Sequence, residues 1–168
     1  MSFRTVTVFD ISQTEGKPLP EIAKKLTGDV AQFESIVAAI RSISPYPIYI
    51  ERFPSDAYGC CNFAEQRIFV QPDMSQAQTI KTMIHEVSHA KLHAPIEDGD
   101  GETPPQRKQR FVREMEAESG AYVVCQHFGI DTADYSFSYV AGWSHGKDLS
   151  QLKASLELIR NTAAELID

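Results

Sequence analysis

The chain of 168 residues has no apolar run near the ~20 residues that a membrane-spanning helix needs. It also has no charged start followed by an apolar stretch that would read as a signal peptide, so it is expected to be soluble and cytoplasmic. Cysteine is scarce. Cys60 and Cys61 are adjacent and Cys125 stands alone, which excludes a disulfide framework and a C-x-x-C zinc knuckle and points to a reducing compartment. Cys125 falls in an apolar run and reads as a small buried hydrophobe, whereas Cys60 and Cys61 sit in a strand with one facing in and one out. Positive charge is short as well: 16 Lys and Arg against 23 Asp and Glu give a net charge of -7, which argues against a broad nucleic-acid surface. The basic group Arg107, Lys108, Arg110 and Arg113 lies beside an acidic loop, Glu97, Asp98, Asp100 and Glu102, and mutual neutralisation is expected. No Glu closes that loop in the manner of a calcium site. There is no internal repeat and no low-complexity tail.

What is present, with 42% hydrophobic residues, suits one domain over residues 1–168 with a true core. Residues 1–20 are expected to give an N-terminal strand, from the alternation at 3–9, and then an extended segment rich in Gly and Pro, Gln13 to Pro20. A helix is expected from Val30 to Ile43, then strands at Tyr46 to Phe53, Gly59 to Phe63 and Arg67 to Val70, the last two joined by a turn at Ala64 to Gln66. The fold class is therefore α+β, with a small, mostly antiparallel sheet ahead of the long helices. If Arg67 to Val70 forms the sheet edge over the cleft, its free backbone groups would pair with an extended peptide.

Ser75 and Gln78 form a capping box, after which Ile80, Met83, Ile84, Val87, Ala90 and Leu92 recur at helical spacing up to Pro95. Inside this helix, Ser75 to Ala94, lies His85-Glu86-Val87-Ser88-His89. Two imidazoles four residues apart sit on one face about 6 Å apart and can share a metal ion, while Glu86 points aside, too far round to bind the same ion but able to take a proton from a water on it. A shuffled chain would carry this pattern about once in a hundred times.

A second helix starts at Thr103-Pro104-Pro105-Gln106 and runs to Phe128, with Gly129 ending it in a left-handed conformation. Glu114 and Glu118 share a face with Ala117 and Ala121, small residues that allow close approach to the first helix. Glu114 is taken as the third metal ligand and Glu118 as the carboxylate that holds the far nitrogen of one ligating histidine. The competing account is a charged face exchanging pairs with Arg110 and Arg113. Glu116 points away from Glu118 and is expected in solvent. His93 lies ~12 Å along the helix axis from His85, too far to join the ligands, and reads as a positive group at a helix C-terminus. A last helix is expected from Asp148 to Leu166, after an aromatic stretch, Tyr135 to Trp143.

The segments Val8 to Thr14 and Gly16 to Pro20, the stretch HEVSHAKLH, the stretch EMEAESGAYVVCQHFGI and Tyr139 to Trp143 together resemble the C-terminal metallopeptidase domain of ArdC-type antirestriction and LtrC-like proteins. The resemblance covers about Val8 to Trp143. It implies a zincin-like fold distantly similar to the ImmA/IrrE metallopeptidases, in which a Glu opening an E-x-x-A-[DN] pattern supplies the third ligand. Glu114, Ala117 and Glu118 match that pattern in register, with Glu in place of the commoner Asp or Asn, and Lys91 replaces a usual apolar residue. In ArdC-type proteins this domain usually follows an N-terminal domain that binds single-stranded DNA, so the sequence reads either as a fragment of such a protein or as a peptidase domain that stands alone. A plasmid, phage or other mobile-element setting is implied.

The expectation is a zinc-dependent peptidase acting on a protein or peptide. One Zn2+ would be held by His85, His89 and Glu114, Glu86 would be the general base, and Tyr122, Tyr135, Tyr139 and His145 are the candidates for stabilising the oxyanion. Two other readings remain. One is a catalytically silent zinc-fold module that inhibits a partner protein; the other is an accessory domain of a single-stranded DNA-binding protein.

Overall fold

The computed structural model describes residues 26–94, 110–133 and 149–167. Within them the chain is α+β: α1 (Phe33–Ile43), β1 (Ile48–Ile50), β2 (Gly59–Asn62), β3 (Arg67–Val70), α2 (Gln76–His93), α3 (Arg110–His127) and α4 (Leu149–Ile167). The expected segments at 1–20 and 134–148, the start of the second helix at Thr103, and the acidic loop with Arg107 and Lys108 lie outside the described residues.

The small sheet is mixed, not mostly antiparallel. β3 lies in the middle, parallel to β1 and antiparallel to β2. Arg67 to Val70 is thus not an edge strand. The turn after Asn62 returns the chain onto β2, and the other side of β3 is taken by β1, where Ile68 N–H donates to the Pro47 carbonyl and Glu51 N–H to the Val70 carbonyl. The edge nearest the long helices is β2.

α1 presents Ile36, Val37 and Ile40 to the core and is tied to β1 by Arg41, whose Nη1 donates to the Ile48 carbonyl at 2.6 Å. Ser75 caps α2 by accepting from Gln78 N–H. The reciprocal half of the expected box is absent: the Gln78 side chain turns inward, its Oε1 accepting from Leu26 N–H and its Nε2 donating to Thr82. α3 ends as its sequence predicts. Gly129 has φ +71°, and Ile130 N–H reaches the Cys125 carbonyl at 2.8 Å in the bond pattern of a Schellman stop.

The core gathers Ile68 and Val70 from the sheet, Ile80, Met83, Ile84 and Val87 from α2, Val124 and Cys125 from α3 and Ala163 and Leu166 from α4. α3 packs between α2 and α4. It approaches α2 closely at Gly120, where an added Cβ would meet Ser88 Oγ at 3.3 Å. No helix of the described residues is long and apolar enough to cross a membrane.

Candidate metal centre

α2 holds four polar residues in one i, i+4 row: Lys81, His85, His89 and His93. On a helix such a row forms a ridge along one side. Across from it, α3 brings Glu114, Glu116 and Glu118.

The His85 and His89 Nε2 atoms stand 3.1 Å apart, and the Glu114 Oε2 lies 3.6 Å from the first and 3.5 Å from the second. A tetrahedral zinc with ligand bonds of about 2.0–2.2 Å puts neighbouring ligand atoms about 3.3–3.6 Å apart. Two imidazoles and a carboxylate form a donor set that suits zinc once the His85 proton is lost; the Glu114 distances fall in that range and the 3.1 Å between the imidazoles lies just under it. Among the described residues this trio is the one cluster of metal-binding side chains that converges. It lies in a cavity of about 530 Å³, walled by Tyr58, Gly59 and Phe63 on one side and by Arg110 and Arg113 on the other.

Glu86 is buried beside the pair. Burial raises its carboxyl above the ordinary range despite the nearby imidazoles and a hydrogen bond from the backbone of Cys61. That bond depends on the strand edge. Tyr58 accepts from Gln71 N–H, so by antiparallel alternation Gly59 and Cys61 turn their backbone groups away from β3 and toward α2. Gly59 makes this approach feasible, because a Cβ there would fall 2.6 Å from Thr82 Cγ2 and 2.7 Å from Glu86 Oε1. A glycine inside a short strand is the sequence signal of close backbone approach.

Glu118 sits where the sequence predicts, with Oε2 3.1 Å from His85 Nδ1. It has a partner that sequence reasoning missed: Lys81 Nζ, buried with it, donates at 2.7 Å. Burial alone would raise Glu118, but His85 and the Lys81 ammonium outweigh it and hold the carboxyl at about 2. Burial likewise would lower His85, yet the Glu114 and Glu118 carboxylates hold the imidazolium up to about 9. Glu114 is drawn well below the usual carboxylate range by His85 and His89. The two acids therefore turn to the histidines and Lys81, not outward to an Arg110 and Arg113 face.

One expectation is corrected and another gains detail. Glu116 is not in solvent but fully buried, accepting from Ser155 Oγ at 2.7 Å and lying 3.0 Å from His93 Nε2. The reason is α4, which covers the face of α3 that a comparison with α2 alone leaves bare. His93 lies in the last turn of α2 and outside the trio, as expected, but it is buried there: its side chain is 1% exposed and its Nδ1 lies 2.9 Å from that of His89. The missed signal was the unbroken row of polar residues on a helix otherwise built for the core.

Of the candidates for the oxyanion, Tyr122 is not among the residues lining the cavity. Tyr135, Tyr139 and His145 lie outside the described residues. Arg113, which the sequence reading did not consider for this role, lines the cavity and has a buried Nε with no hydrogen-bond partner. The expected placement of cysteines holds, with Cys60 exposed, Cys61 half-buried and Cys125 buried, all as free thiols. Burial pushes Cys125 up to about 12, which makes it inert.

The chain matches no protein-family model, and no solved structure matches it. A stretch of 95 residues is 32% identical to an uncharacterized protein of Bacillus anthracis, pXO2-81, and covers 56% of this chain. It spans only 15% of that relative's length.

Proposed function

We propose that this chain is a zinc-dependent metallopeptidase domain of the zincin-like class, with His85, His89 and Glu114 as ligands and Glu86 as general base. The observation that carries this reading is the convergence of three ligand atoms at 3.1 to 3.6 Å with Glu86 buried at their side. Zinc in that position would act as a Lewis acid, lowering the pKa of a water to ~7. Glu86 accepts the proton of the attacking water on its carboxylate and returns it to the leaving amine. Arg113, which lines the cavity, would offer its guanidinium to the negative charge that develops on the scissile carbonyl oxygen.

The substrate class is an extended peptide. The outer edge of β2 lines the cavity at Gly59, Cys60 and Cys61, and the backbone groups there that Glu86 does not hold would be the ones an extended chain pairs with. The free thiols suit a reducing, cytoplasmic setting. The resemblance to ArdC-type proteins supports an antirestriction or mobile-element role.

Glu86→Gln is expected to keep one zinc per chain and to lose about 10²- to 10⁴-fold in the hydrolysis of an unfolded protein substrate. Glu114→Ala is expected to lose the zinc. Unchanged turnover in the first variant, or full zinc content in the second, would overturn the assignment.

A further inference from the structure

We propose that His93, Glu116 and Ser155 form a positioning relay that fixes which nitrogen of His89 is left bare to bind an ion, and that α4 thereby supports the centre. The proposal deepens the metallopeptidase reading, and its affinity arm rests on that reading.

The chain of contacts runs without a gap from the cavity to the C-terminal helix. His89 Nδ1 lies 2.9 Å from His93 Nδ1, His93 Nε2 lies 3.0 Å from Glu116 Oε2, and Ser155 Oγ donates to Glu116 Oε1 at 2.7 Å. The side chains of His93 and Glu116 are 1% and 0% exposed, and Ser155 is buried on α4. These contacts couple the ring protons: a His93 proton on Nε2 donates to Glu116 and leaves Nδ1 to accept, and the His89 proton then sits on Nδ1 and donates to it. His89 is left with a bare Nε2, the atom that stands 3.1 Å from His85 Nε2 and 3.5 Å from Glu114 Oε2.

Each imidazole thus has its own support. His85 is held at Nδ1 by Glu118, itself paired with Lys81, and His89 is held at Nδ1 by His93. Burying a histidine, a carboxylate and a hydroxyl between helices costs desolvation that apolar residues of similar size would avoid. Orienting a ligand is a use that repays that cost.

Two measurements on the full chain test the relay. In the metal-free parent, 1H–15N spectra of the imidazoles are expected to place the ring proton of His89 on Nδ1 and that of His93 on Nε2. Zinc affinity, read by competition with a chromophoric chelator, is expected to fall about 10- to 100-fold in His93→Leu. His93→Gln is expected to recover most of it, because its amide oxygen accepts from His89 while its NH2 donates to Glu116. Ser155→Ala should show a smaller loss in the same direction. A ring proton on His89 Nε2, parent-like affinity in His93→Leu, or equal weakness in the Leu and Gln variants would each overturn the relay. A parent that binds no zinc yet shows the expected tautomers would remove the metal reading and leave the relay standing.

Discussion

Helix α2 is buried on two sides that are built from opposite chemistry. Toward the sheet and α1 it presents Ile80, Met83, Ile84 and Val87, none of them exposed. Toward α3 it presents Lys81, His85, Ser88, His89 and His93, each in contact with a carboxylate or a glycine of that helix. The apolar side removes hydrocarbon from water and is stabilising by about 1.5–3 kcal/mol for each large side chain. The polar side gives back much less, since every charge on it had to lose its hydration before it gained a partner. The contrast separates what holds the fold from what arms the site, and it predicts that the two can be altered independently.

The largest effect should come from Lys81→Met. Its ammonium is 2.7 Å from Glu118 and both side chains are buried, so removing it leaves the buried carboxylate with one cation fewer beside the His85 ring, at a cost of about 1.5–3 kcal/mol, measurable by urea unfolding. The double variant Lys81→Met/Glu118→Leu should regain most of that stability, because an apolar pair fills the seam without stranding a charge. Zinc affinity should stay low in the double variant, since His85 Nδ1 has lost its acceptor. If stability fails to return, the polar side is needed for packing and the contrast breaks down.

The next effect is in pH, and only the polar side should show it. The His85 pKa is raised from 6.5 to about 9 in the metal-free fold, so its contribution to stability is complete below 6.5 and is lost as pH rises through about 9. Glu118 runs the other way. Lowered from 4.5 to about 2, it contributes above 4.5 and the contribution is lost as pH falls through about 2. A zinc ion must displace the His85 proton, so apparent affinity should rise about tenfold per pH unit between neutrality and about 9. Calorimetry in buffers of different ionisation enthalpy should find about one proton released per ion near pH 7, and no release would deny the pairing of His85 with the two acids.

The same division explains what was legible in the sequence. The apolar side of α2 and its Ser75 cap are local patterns, and the structure reproduces both. His85, His89 and Glu114 meet because register on two helices places them, which spacing also expresses. Strand order is not local. β1 and β2 flank β3 through pairings that no short pattern records, so whether Arg67 to Val70 lies at an edge is not written in its own residues. Glu116 was misread, and the burial of His93 missed, for a related reason. Helical spacing within α2 and α3 could not say that His93 and Glu116 meet where α4 also packs on α3 and brings Ser155 to Glu116.

The smallest change probes the border between the two sides. Ile84 is fully buried and adjoins His85 in sequence, yet its side chain belongs to the apolar core. Ile84→Val deletes one methylene group and leaves a void too small for the neighbours to fill completely, at a cost of about 1 kcal/mol in urea unfolding. Because Val keeps the β-branch, the rotamer at position 84 and the path of the helix backbone are retained. His85 should then keep its place against Glu118, and zinc affinity should remain within about twofold of the parent, as expected for sites that share no partner. A tenfold loss of zinc from this one methylene would mean that core packing itself aims the imidazoles, and the two sides of α2 would have to be treated as one cooperative unit.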